Sequence, residues 1–495
     1  MTTKSIRRQS LWGSGALYLG QGLGLVNKIV LFPLVFAGQE VYWGMLVFLT
    51  SLSSVFGSFS SLGFSKVIQR YVPKHPERAT QIIKHSIFWS CVAGIFTFTI
   101  LLLWGPRIEQ FSSEPQLFNS LFGVLILLFV GQWFFELASS IYAAFYKAHV
   151  GLIANNVTVR ILQSILLIVG IMGYLSITEF VWMFAAIVVL NHGLLFMFSL
   201  REIPSPNSND GRPALKNAGL DYAVFMTILT LVAQFFLHLD GILVGHFLAL
   251  SQLAYLDLAK NLSSVIEMPA RAIGASSFVK LSHLLRIGDL KQVGSIYTKA
   301  SFIQIFLGLL LFALIANHID ILNYWFPNKS YAVVKTLFMI LALGKFVDLA
   351  TGFNWAIITN SEKYWANFWI GLSTLFGVIA LEWWLIPRFG LLGAVWGVVL
   401  AYAINNSLRS IYVWITFKLQ PFSGLHKKLV PLLLLVVLSS IPFPIPFFAQ
   451  IVIKDCALLL IVLWYSKPGR TIPEWDEIVS DLRKKFGSLS KKGIQ

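Results

Sequence analysis

The sequence predicts an all-α integral membrane protein of about fourteen transmembrane helices: two pseudo-symmetric six-helix lobes followed by two further helices. Three observations carry this. Composition is the first: 57% of the 495 residues are hydrophobic, 12% are charged and mean hydropathy is +0.74, which excludes a soluble globular chain. Repeated apolar runs long enough to cross a bilayer are the second. The third is the placement of positive charge, which alternates from one connection to the next. Lys4, Arg7 and Arg8 precede the first span; Lys66, Arg70, Lys74, Arg78 and Lys84 follow the second; Lys147, Arg201, Arg212 and Lys216 come later on the same side. The intervening connections hold only Arg107, Lys329, Lys335, Arg388 and Lys454. Basic short loops stay cytoplasmic, so both termini are placed in the cytoplasm and the number of spans is even.

In chain order the spans are expected at about 11–37, 41–65, 85–105, 117–147, 151–175, 178–200, 218–249, 252–281, 300–318, 331–359, 364–386, 390–416, 429–443 and 446–466. Aromatic pairs near their ends, among them Tyr42 with Trp43, Trp383 with Trp384 and Trp464 with Tyr465, read as interface anchors. The polar break at 201–217 divides an N-terminal lobe (1–205) from a C-terminal lobe (206–420), with extra helices over 421–466. Gly20 with Gly24, and Gly241 with Gly245, give the first span of each lobe GxxxG spacing, which permits close helix packing. Pro33 and Pro269 should kink or unwind spans one and eight. The tail 467–495 carries an apolar stripe of Trp475, Ile478, Val479, Leu482 and Phe486. It reads as an amphipathic cytoplasmic helix, either along the inner leaflet or packed on the protein's own face.

The net charge of +16 follows the positive-inside pattern, and nucleic acid is not an expected partner. Cys91 and Cys456 both sit in apolar spans, so neither a disulfide framework nor metal-ligand spacing is present. No P-loop and no nucleophile–base motif occurs; nothing calls for a cofactor, a metal or an enzyme.

An ionisable side chain at mid-bilayer costs about 2.5–3.5 kcal/mol, so each one needs a reason. Ten are placed there: Lys28, Glu136, Arg160, Asp240, Asp257, Lys260, Glu267, Arg271, Lys345 and Asp348. Five positive and five negative charges can be internal ion pairs. Hairpin symmetry puts Glu136 level with Arg160, and Asp240 level with Lys260. Helical spacing joins Glu267 to Arg271 and Lys345 to Asp348. Lys28 finds no acid within a turn, and its hairpin neighbour is Thr50. Asp257 competes with Asp240 for Lys260. Lys28, with Gln21 and Asn27 on the same helix, is therefore the leading pointer to a cavity, and Asp240 and Asp257 are candidates for ion coupling. His192, His238, His246 and His318 read as polar packing.

Four segments carry a family resemblance. SLGFSKVIQRYVPKHPER (61–78) resembles the end of the second span in oligosaccharide flippases, and LIPRFGLLGAVWG (385–397) resembles their Ile-Pro-x-x-Gly-x-x-Gly-Ala junction. VIEMPARAI (265–273) and VDLATGFNWAII (347–358) look like a lipopolysaccharide-biosynthesis branch of the same group. The group is the multidrug/oligosaccharidyl-lipid/polysaccharide (MOP) exporter superfamily. The resemblance implies a MATE-like, V-shaped pair of six-helix lobes working by alternating access. It also implies a bacterial inner-membrane location and a lipid-linked oligosaccharide substrate, such as an undecaprenyl-diphosphate-linked glycan, for surface polysaccharide or O-antigen assembly. Polysaccharide assembly proteins would be partners. Basic residues on spans one and eight of such cavities are held to meet the diphosphate, which points here to Lys28, Lys260 and Arg271. Related lipid II flippases carry several N-lobe arginines, whereas spans one and two here offer only Lys28. The competing readings are a cation-coupled small-molecule exporter and, from another class, a membrane glycan polymerase or ligase. The short outward connections disfavour the polymerase or ligase.

Overall fold

The computed structural model describes residues 3–205, 217–325, 331–439 and 446–465. The amphipathic stripe expected at 471–495 and much of the polar break at 201–217 lie outside these residues. Every regular element among the described residues is helical. Ten stretches are long and apolar enough to cross a membrane, from Gly15–Val35 to Phe448–Tyr465. Of the remaining expected spans, the thirteenth is described only over Val430–Ser439, and the eighth and tenth fall outside that set for a physical reason. The eighth (Leu250–Ser264, then Met268–Arg286) holds Asp257, Lys260, Glu267 and Arg271, and the tenth (Ala332–Thr351) holds Lys335, Lys345 and Asp348. Charge lowers their hydropathy. Spans eleven and twelve, within Trp365–Phe417, are two helices that meet at a sharp kink at Gly390, whose φ of 58° favours a residue without Cβ. Pro387 precedes the break, and a Cβ on Gly393 would run into the Leu385 carbonyl.

Both span-internal prolines mark irregular backbone. Pro33 lacks an N–H, and the turn before it, Asn27–Leu31, is π-helical, so Lys28 sits in the widened turn. Pro269 follows a 3-10 turn over Val265–Glu267 that interrupts span eight at Glu267. A second π turn, Ala154–Thr158, lies in span five just before Arg160. Ser176 and Glu179 form a capping box that starts span six.

Internal packing divides the chain into two compact units: Met1–Asn261 with Gly371–Gly397, and Leu262–Ile370 with Val398–Gln495. The boundary falls within span eight. It is a grouping by packing, distinct from the sequence repeat, for which the division at 205/206 remains a proposal. In the first unit the spans pack through missing side chains. Gly20 lies against the Asn156 backbone, Gly44 against the Leu250 backbone, Gly241 against Ser51 and Gly245 against Phe48. Gly20, Gly241 and Gly245 thus sit at close contacts where a methyl group would force a shift, while a Cβ on Gly24 would meet the Arg160 guanidinium at an ordinary 3.5 Å. One of its cores centres on Phe64, Val67, Ile68, Ile82, Ile83 and Ile141. The second unit has its own core around Leu281, Val293, Tyr297, Phe353, Ile357 and Val413.

Candidate functional site

The first unit encloses a cavity of about 360 Å³ whose wall contains Lys28, Arg160, Lys260, Asp240 and Asp257. Its remaining polar lining comes from serines 51, 53 and 54, Thr50, Gln132, Asn155, Gln163, Asn261, His192 and His238. Hydroxyl and amide groups at this depth give a polar solute partners that lipid lacks.

Asp257 is the organising acid. Its Oδ2 receives Lys28 Nζ at 2.8 Å and Trp43 Nε1 at 3.0 Å, while Oδ1 receives Asn261 Nδ2 at 3.0 Å. Lys28 also lies 4.2 Å over the Phe32 ring. The expectation that Lys28 and Asp257 are left over is therefore corrected: they pair with each other, 229 residues apart. Trp43 is corrected too. It is fully buried and donates to the site rather than anchoring at the interface.

Lys260 Nζ meets Asp240 Oδ2 at 2.6 Å, the hairpin pairing expected from the sequence. Asp240 Oδ1 also accepts the Gly241 backbone N–H at 2.8 Å. Behind the pair lies Glu382, 2% exposed, close enough to Asp240 and Lys260 to feel their charge, with Oε2 lacking a hydrogen-bond partner among the described residues.

Glu136 and Arg160 do not pair. Glu136 is hydrogen-bonded by Ser61 and Gln132 with Lys66 nearby, because span four faces span two at that level. Arg160 instead turns toward span one. Its backbone carbonyl accepts Asn27 Nδ2 at 3.1 Å, and Asn27 Oδ1 accepts Ser164 Oγ at 2.7 Å, so buried Asn27 clamps spans one and five. The guanidinium sits over Gly24, with Cζ 3.5 Å from where a Cβ would be. Asp257 is the counter-charge acting on it, yet the guanidinium makes no hydrogen bond or ion pair among the described residues. Of three cations and two carboxylates in the wall, two ion pairs account for four, and Arg160 is the remaining cation. Gln21 and Asn27 are not part of the wall; Asn27 acts by holding Arg160 in place.

Arg271 belongs to the second unit. Glu267 Oε2 receives it at 3.5 Å, and Glu267 Oε1 receives Lys345 Nζ at 2.6 Å. The expected Lys345–Asp348 pair is corrected: Lys345 spans Glu267 and the Tyr402 hydroxyl, 2.8 Å away, and Asp348 Oδ1 accepts Asn406 Nδ2 at 3.1 Å. Lys345 prefers Glu267 because the 3-10 break turns that acid toward span ten. Arg409 lies near Asp348, inside the helix of span twelve. Glu382, Trp43 and Arg409 escaped the sequence reading. For Glu382 the signal was present, an acid in the middle of an apolar run, but for Trp43 there was none.

Among the described residues no cluster of metal-binding side chains occurs. The scaffold that places these groups is a polytopic helical fold. A solved lipid II flippase, MurJ in an inward closed conformation, superposes with a TM-score of 0.69 at 15% identity, covering 92% of this chain and 99% of the flippase. An inward-facing multidrug-resistance MATE family transporter of the MOP superfamily superposes with a TM-score of 0.60 at 12% identity, over 81% and 94%. An outward-facing structure of a MATE transporter gives 0.58 at 13%, over 83% and 96%. No protein-family profile and no curated protein sequence matches the chain. The chain therefore shares the MurJ/MATE fold.

Proposed function

We propose that this protein is a flippase that moves a lipid-linked oligosaccharide, of the undecaprenyl-diphosphate-linked kind, from the inner to the outer leaflet of a bacterial inner membrane. The glycan is destined for cell-surface polysaccharide or lipopolysaccharide. The observation that carries the reading is the cavity of the first unit, which mixes polar and charged groups with apolar ones and holds one guanidinium without a hydrogen-bond or ion-pair partner among the described residues. A diphosphate needs charge-assisted donors, and Arg160 supplies a planar fork of them at no expense to an existing pair. Lys28 and Lys260 flank it and can share their donors with a second anion as their carboxylates retain other bonds. The sugar's hydroxyls and the head group's charge bar unaided passage across roughly 30 Å of hydrocarbon. A wall of hydroxyl and amide groups lowers that barrier, and alternating access delivers the head to the other face.

The test is transport itself. Proteoliposomes bearing a fluorescent lipid-linked oligosaccharide should expose it to an outside quencher faster than protein-free vesicles do. A second reading, cation-coupled small-molecule export, draws on buried Glu382 beside Asp240. Ion-driven dye efflux lost in Asp240→Asn, with no glycolipid movement, would replace the first reading by the second.

A further inference from the structure

The second unit holds a cavity of its own, about 350 Å³, that the anion site leaves unused. We propose that it is a carbohydrate subsite that takes a neutral sugar residue of the transported glycan, an inference that rests on the flippase reading above.

Its chemistry is that of an acceptor-rich pocket with an aromatic side. Gln304, 2% exposed, presents Oε1 without a hydrogen-bond partner among the described residues. That oxygen lies 3.9 Å from the space left by Gly352 in the cavity wall. A buried amide oxygen without a donor is destabilising, so it marks a place where a donor belongs. Asp348 contributes a second acceptor. Its Oδ1 is taken by Asn406 at 3.1 Å, while Oδ2 receives no hydrogen bond among the described residues. Glu267 completes the acidic side, and Arg271 stands half-exposed at the wall with donors for ring and hydroxyl oxygens.

Facing these groups are Trp355 and Phe278, ring centroids 5.9 Å apart and tilted by 31°. Trp355 is 47% exposed, an open apolar surface within the lining. A sugar ring presents C–H groups on one face and hydroxyls at its edge, which matches an aromatic wall beside carboxylate and amide oxygens.

Charge narrows the class of ligand. The two carboxylates, Glu267 and Asp348, are outnumbered by Lys345, Arg271 and Arg409 close by. A cation would meet a net positive layer, and an anion would meet the carboxylates that form the wall. A neutral polyhydroxyl compound meets neither obstacle. The volume lies in the ~300–1,000 Å³ class of small-molecule sites, enough for about one or two sugar rings.

The experiment uses the full chain in nanodiscs and saturation-transfer NMR with two free disaccharides, one of hexose and one of N-acetylhexosamine. At least one should receive saturation from the protein, strongest on the C–H groups of a single ring face. Gln304→Leu should weaken that binding about five- to tenfold, the effect of one hydrogen bond. Trp355→Leu, at an exposed position that leaves the core intact, should weaken it about tenfold. Arg160→Gln, in the other unit, should leave it unchanged, and the lipid-linked oligosaccharide should displace the disaccharide. Absence of transfer to both sugars, native affinity in both variants, or failure of the lipid-linked compound to compete would each overturn the proposal. The outcomes separate the two claims. Sugar binding without flipping refutes transport alone, and flipping without sugar binding refutes the subsite alone.

Discussion

Separating Lys28 from Asp257 should destabilise the first unit, and the structure fixes both the size and the order of the effects. The side chains are 16% and 17% exposed, and Nζ and Oδ2 stand 2.8 Å apart. At an effective dielectric of about 20 the gross attraction is about 6 kcal/mol. Desolvation offsets most of it, and removing one partner of a buried pair typically destabilises by about 3–5 kcal/mol. The pair borders a polar cavity, so about 2–3 kcal/mol is the working figure for a single substitution. Lys28→Met should be the milder, because Asp257 keeps Trp43 and Asn261 as donors. Asp257→Leu should be the worse, since Trp43 Nε1 loses its acceptor and Lys28 keeps only aromatic faces. Together the two changes should do less harm than Asp257→Leu alone, because an apolar pair of similar volume replaces both charges. Unfolding midpoints in mixed SDS–detergent micelles measure this for native, single and double variants. Effects that simply add, or single variants as stable as the native protein, would refute the reasoning.

Other consequences can be checked with the same preparations. Gly390→Ala should lower stability by about 1 kcal/mol through its φ of 58°, while Gly377→Ala, inside the helix before the kink with open space at Cβ, should be neutral or slightly stabilising. His426, outside the spans, is held below the ordinary histidine range by burial, with Nδ1 accepting the Ser423 N–H at 3.2 Å and Nε2 facing Ser301 Oγ at 3.2 Å. The unfolded ring then gains a proton before the folded one. Stability should hold above about pH 6.5 and fall as the pH drops below it, with a shallower fall in His426→Gln. Glu267→Gln should destabilise the second unit by about 2–3 kcal/mol by removing the carboxylate that Lys345 pairs with directly, and Glu267→Gln with Lys345→Met should recover part of the loss.

The helical membrane architecture was legible because hydrophobic length and loop charge are local signals, and Pro33, Pro269, Gly241 and Gly245 each act where they stand in the chain. Local spacing also reached Asp240 with Lys260 and Glu267 with Arg271, which are neighbours across a short turn or along one helix. It failed where the partner comes from a distant span. Lys28 finds Asp257 on span eight, and Lys345 finds Glu267 across a helix break that no periodicity encodes. Arg160 was assigned to a structural pair because hairpin symmetry gives depth but not facing. The π turn over Ala154–Thr158 and the Asn27 clamp turn its helix toward the cavity. Trp43 looked like every other aromatic near a span end, and only packing distinguishes it.

The most direct test of the account is the flipping rate of Arg160→Gln in proteoliposomes carrying a fluorescent lipid-linked oligosaccharide, beside the native protein and Arg160→Lys. A charge-assisted contact to the diphosphate contributes about 1.5–3 kcal/mol, so the glutamine variant should flip at least about tenfold more slowly at low substrate, with the lysine variant in between and all three equally folded. A glutamine variant that flips at the native rate would contradict the claim that this cavity carries the anionic head.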